Sequence, residues 1–167
     1  MTARLAATVA RPLLAILCGA LAACSSFDAQ WRAAENPATA PGLTRWEGRW
    51  TSARHTTRAG TPDGGRLRCV LEPAEGQKLH ACFRASWKVF TSDYAMSLAP
   101  VESGRAAPAE FRGTHELPAI FGGTYRYRAR LAGDRFTARY DSSYDRGTFT
   151  LQRLRRAKDS LPVDSGH

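Results

Sequence analysis

The chain has 167 residues, 43% of them hydrophobic and 23% charged, an ordinary globular composition that provides one domain and excludes a second core. Its formal net charge is +9; Arg4 and Arg11 are the only charged residues of 1–23, so the remainder keeps +7. That excess points to anionic neighbours such as lipid headgroups, lipopolysaccharide or nucleic acid, or equally to a plain Arg-, Ala- and Gly-rich composition.

Residues 1–23 open with Arg4 and Arg11, continue through an apolar run from Pro12 to Ala20 that is too short to span a bilayer, and end in Leu21-Ala22-Ala23 before Cys24. The arrangement resembles the lipobox of bacterial lipoproteins. The resemblance implies that 1–23 is a signal peptide and that Cys24, diacylated on its thiol, becomes the first mature residue. Such an anchor holds without a transmembrane helix, because each buried methylene contributes roughly 0.8 kcal/mol. Ser25, where Asp would direct retention in the inner membrane, implies an outer-membrane protein facing the periplasm, and there nucleic acid is not a partner. Residues 24–44 carry Pro37, Pro41 and Gly42 and read as lipid anchor and flexible tether, with one or two helical turns around Asp28 to Glu35.

From Trp46 onward apolar residues recur at every second position in bursts divided by Gly, Pro, Asp and Ser, which predicts half-buried strands rather than helices. The inner faces begin with Trp46, Gly48 and Trp50, then Leu67, Cys69 and Leu71, then Leu79, Ala81, Phe83 and Ala85. Phe90, Tyr94, Met96 and Leu98 form the fourth, and Phe111, His115 and Leu117 a weaker fifth. Tyr125, Tyr127, Ala129 and Leu131 make the sixth; Phe136, Ala138 and Tyr140 the seventh; Phe149 and Leu151 the eighth. A turn at Ala132-Gly133 places Tyr125, Tyr127 and Ala129 opposite Tyr140, Ala138 and Phe136, so the two inner faces agree in phase.

About eight sequential strands with one apolar face each avoid exposed edges by closing into an antiparallel up-and-down barrel, the predicted all-β fold over 45–155; a β-sandwich is the alternative. Residues 156–167 read as a polar tail. Trp46-Glu47-Gly48-Arg49-Trp50 together with Arg153 near the end of the last strand is similar to lipocalins and related calycins. The resemblance implies a barrel with Trp50 stacked under Arg153 in a cation–π contact.

No Gly-x-Ser-x-Gly, phosphate loop or metal-ligand spacing is present, so no catalytic residue, metal or cofactor is expected. The inward rings predict a cavity lined by Trp50, Tyr94, Phe111, His115, Tyr125, Tyr127 and Tyr140, or a filled core. Its mouth falls where loops 54–65, 86–92, 117–123 and 141–147 gather, with His55, Trp87, Phe121 and Tyr144. Cys69 and Cys82 suit a periplasmic disulfide, but alternation turns Cys69 inward and Cys82 outward, so a bridge needs a bulge. On the outer face Arg126, Arg128, Arg130, Arg135 and Arg139 form a stripe for anionic lipid or lipopolysaccharide, with Arg130 facing Arg135 and Arg126 facing Arg139. Three roles follow: an anchored barrel binding a small apolar or amphipathic ligand, a filled structural or interaction module of the envelope, or a lysozyme inhibitor. The last is disfavoured because a +7 chain repels cationic lysozymes.

Overall fold

A computed structural model describes residues 26–101 and 109–155, apart from the side chain of Phe121. The expected signal peptide, Cys24 and the expected 156–167 tail lie outside the described residues. One helix, α1 (Phe27–Ala33), precedes eight strands: β1 (Thr44–Thr56), β2 (Pro62–Pro73), β3 (Leu79–Trp87), β4 (Phe90–Pro100), β5 (Ala109–Glu116), β6 (Thr124–Ala132), β7 (Arg135–Asp141) and β8 (Arg146–Arg153). Each strand pairs antiparallel with the next and β8 closes on β1, giving one closed up-and-down barrel rather than a two-sheet sandwich.

Period-2 alternation sends the rings inward as the sequence predicts. Trp46, Leu71, Leu98, Phe136 and Leu151 are almost fully buried and fill the end at which β1 begins. Phe83 packs in the middle against Phe136 and Phe149, with ring centroids 6.4 and 5.7 Å away. The opposite end is not filled, and it forms the mouth. Along the β4–β5 seam, ladder pairs among the described residues occur only at Ala99–Arg112 and Pro100–Phe111, near the closed end. Toward the mouth Tyr94 packs across this seam on His115, centroids 5.2 Å apart.

The β6–β7 hairpin differs from the sequence expectation by two residues. Its loop is Gly133-Asp134, so Tyr127 faces Tyr140, Arg128 faces Arg139, and Arg126 faces Asp141. Gly133 takes the positive φ (57°) that a tight two-residue loop demands at its first position. A slip of two leaves every side chain on the same face, which is why phase alone could not fix the register.

The segment expected as a tether carries α1, and α1 is docked. Ser26 caps it, its Oγ accepting from the Ala29 N–H (3.3 Å). Seven residues are too few for a helix to persist alone, so packing must hold it. Phe27 and Ala34 are buried against Val70 and Cys82, which point out of the barrel wall. The Arg84 guanidinium lies 4.6 Å from the Phe27 ring centroid while bonding Asp28 (2.5 Å) and Asp93 (2.6 Å); Arg68 lies 5.3 Å from the Trp31 ring.

Candidate functional site

The mouth half encloses an open cavity of about 430 Å³, within the ~300–1,000 Å³ usual for small-molecule sites. Strand residues Trp50, Tyr94, Tyr125, Tyr127, Tyr140 and Phe149 form its walls, and Trp87 and Tyr144 stand at its rim. Tyr127, Tyr140 and Phe149 pack on one another with centroids 5.3 to 6.2 Å apart. Burial holds the Tyr94, Tyr127 and Tyr140 hydroxyls protonated well above the ordinary tyrosine range.

A bulge brings the polar groups in. The β1–β2 register shifts between Thr51 and Thr56, so Ser52, in phase with Trp50, and His55, out of phase with it, both reach the cavity. Ser52 Oγ secures the bulge by accepting from the backbone N–H groups of Arg54 (3.1 Å) and His55 (2.8 Å). It donates to Asp145 Oδ1 (2.7 Å), whose other oxygen accepts from the Tyr140 hydroxyl (2.8 Å). Ser52 is thus committed to a carboxylate and not to His55, and it is not poised as a nucleophile. Asp63 accepts from the Trp87 indole N–H (2.9 Å), which holds its carboxyl below the ordinary range against the opposing effect of burial. Among the described residues, two buried polar atoms of the lining side chains have no hydrogen-bond partner: Trp50 Nε1 and His55 Nε2. In native structures such groups are uncommon, and each calls for a partner supplied from elsewhere.

Of the predicted lining, Trp50, Tyr94, His115, Tyr125, Tyr127 and Tyr140 come together here. Phe111 does not: it pairs with Pro100 near the closed end and is buried in the core. Around the mouth, His55, Trp87 and Tyr144 lie where the loops were expected to bring them. Ser52 shares the phase of Trp50 but is small and polar, so the apolar pattern did not mark it, while Asp63 at the start of β2 and Asp145 just before β8 sit where alternation gives no phase.

Two expected contacts are absent. Arg153 faces Trp46 in the ladder, four residues from Phe149, which faces Trp50; no cation–π pair joins Arg153 to Trp50, and the guanidinium instead lies 4.0 Å from Asp134. Cys69 and Cys82 are both buried, and no disulfide joins them to each other. Strands β2 and β3 pair without a shift from Arg66–Ser86 to Pro73–Leu79, so no bulge turns the two sulfurs to one side. Cys69 stays in the barrel core and Cys82 under α1.

On the outer face, Arg112 of β5, Arg128 of β6 and Arg139 of β7 stand side by side in the ladder. Arg126 instead faces Asp141, Arg130 faces Glu110 and Thr137, and Arg135 sits at the hairpin end opposite Ala132. Among the described residues none of Arg112, Arg126, Arg128, Arg130 or Arg139 forms an ion pair. Comparison of the chain with protein-family models, curated proteins and solved structures yields no match.

Proposed function

We propose that the protein is an outer-membrane lipoprotein, anchored through Cys24 with its barrel in the periplasm, that binds one small apolar or amphipathic ligand in the mouth cavity. The observation carrying this reading is an open aromatic cavity in which the Trp50 indole N–H is buried without an acceptor. A ligand presenting an acceptor there removes a desolvation cost of about 1–3 kcal/mol while covering apolar wall. The lipocalin likeness of the Gly48-Arg49-Trp50 strand agrees with such a role. The filled-barrel alternative finds less support, since side chains pack only the closed half. Exposed Val89, Phe90, Ile120 and Tyr144 ring the mouth and suit apolar ligand transfer.

Native mass spectrometry of the protein extracted from its own membranes tests the reading. It should carry a co-purified small molecule, lost in Ala85→Phe, which fills the cavity from its wall. A wild-type protein that is always empty and gains no ligand from a lipid extract would refute it.

A second reading concerns the outer face. The row Arg112, Arg128 and Arg139 has like charges across three strands, an arrangement that anionic lipid or lipopolysaccharide phosphates would neutralise at roughly 1 kcal/mol per residue. Sedimentation with vesicles that is unaffected by anionic lipid or by salt would rule it out.

A further inference from the structure

We propose that the mouth cavity selects organic cations, taking an amphipathic ligand whose polar end is an amine or ammonium group. The proposal rests on the ligand-binding reading above and adds the sign of the ligand's charge.

The chain carries 24 Lys and Arg against 15 Asp and Glu, yet among the described residues the cavity is lined by Asp63 and Asp145 and by no Lys or Arg. The surface and the cavity therefore have opposite signs. Lys88 sits against the Trp87 ring at 4.3 Å and adds to the lowering of the Asp63 carboxyl, but it is not part of the lining. His55 and His115 are the remaining basic groups there.

Both carboxylates keep acceptor capacity. Asp63 Oδ1 takes both of its protein hydrogen bonds, from Trp87 Nε1 and from the Gly64 N–H, each 2.9 Å, leaving Oδ2 without one among the described residues. Asp145 accepts three: Ser52 and the Arg146 N–H at Oδ1, Tyr140 at Oδ2. A carboxylate has about four lone-pair sites, so one remains. Between and below them stand the rings of Trp50, Trp87, Tyr94 and Tyr125, whose π faces attract cations.

An ammonium at this level gains from both effects, while its apolar tail follows Tyr127 and Phe149 inward. A fatty acid would bring its carboxylate to two others with no lysine or arginine in the lining to offset them. Trp50 Nε1 then asks for a neutral acceptor elsewhere on the ligand, such as a hydroxyl or carbonyl. The basic exterior repels cations at long range, so the selectivity must arise inside the cavity and not from steering.

Isothermal titration of the lipid-anchored protein in detergent with octylammonium, octanol and octanoate, each below its micellar range, separates the possibilities. Octylammonium should bind about tenfold or more tighter than octanol, with octanoate weakest. In Asp63→Asn the ratio of ammonium to alcohol affinity should fall toward one, and an unchanged ratio would overturn the proposal. Equal binding of all three, or preference for octanoate, would overturn the cation proposal and leave a ligand-binding cavity. Failure of all three to bind would remove that cavity's role as well.

Discussion

Replacing Phe27 by Ala tests the docking of α1 through a thiol that nothing else should uncover. Phe27 is 4% exposed, stacks on Trp31 with centroids 5.5 Å apart, and lies beneath the Arg84 guanidinium. A buried Phe→Ala change costs about 3–5 kcal/mol in a core. Here the lower figure applies, because a peripheral helix can detach instead of enclosing a void. At about 1.4 kcal/mol per tenfold, about 3 kcal/mol raises the detached fraction roughly a hundredfold. Detachment strips the cover from Cys82, at 8% exposure, while Cys69, at 0%, stays inside the barrel. The assay is maleimide labelling under native conditions in the chain from residue 24 with Cys24→Ser, sites assigned by peptide mass. Cys82 should label roughly a hundredfold faster in Phe27→Ala, with Cys69 protected in both proteins. Equal Cys82 rates, or Cys69 and Cys82 labelling together, would refute the docking argument.

Other expectations are independent of that helix. Tyr94, Tyr127 and Tyr140 have folded-state pKa values held above the ordinary 10.0 by burial, so their contribution is complete below pH 10 and is lost as pH rises beyond it. Stability in urea should fall above pH 10 by up to about 1.4 kcal/mol per pH unit for each tyrosine, whereas a flat profile to pH 12 would contradict their burial. Asp145→Asn turns an amide toward hydroxyl or N–H donors and should cost about 1–3 kcal/mol of stability while lowering the Tyr140 titration; an unchanged urea midpoint would count against the Ser52–Asp145–Tyr140 network. Arg128→Gln relieves repulsion from Arg112 and Arg139 and should raise stability by about 0.2–1 kcal/mol at low salt, the gain fading as salt is added. A loss of stability at low salt would show that the row is already neutralised.

The barrel was legible because alternation is a local property of each strand. Leu67, Cys69 and Leu71, or Phe136, Ala138 and Tyr140, announce their inner face without knowledge of any partner. What depends on pairs was less legible. The two-residue offset at Gly133-Asp134 left the phase intact and altered only which arginines meet, and Arg153 was matched to the wrong tryptophan for the same reason. The bulge after Thr51 inverts phase within β1, so His55 enters a cavity that counting by twos assigns to Ser52 alone. Asp63 and Asp145 carry no period at all; their roles arise from the tertiary meeting of Trp87 with one and of Ser52 and Tyr140 with the other. The docking of α1 was hidden because Val70 and Cys82 look like outward residues, and only the helix across them makes a second, small core.

Four tryptophans make the central claim directly measurable. The Trp46 indole donates to Thr44 Oγ1 and the Trp87 indole to Asp63, both at 2.9 Å, while that of Trp50 has no acceptor among the described residues. In a 1H–15N spectrum with 15N-labelled tryptophan, titration with an amphipathic amino alcohol should move the Trp50 indole N–H downfield to saturation at one equivalent, with Trp46 unmoved. Saturable binding that leaves Trp50 where it was, or shifts Trp46 as much, would contradict the account.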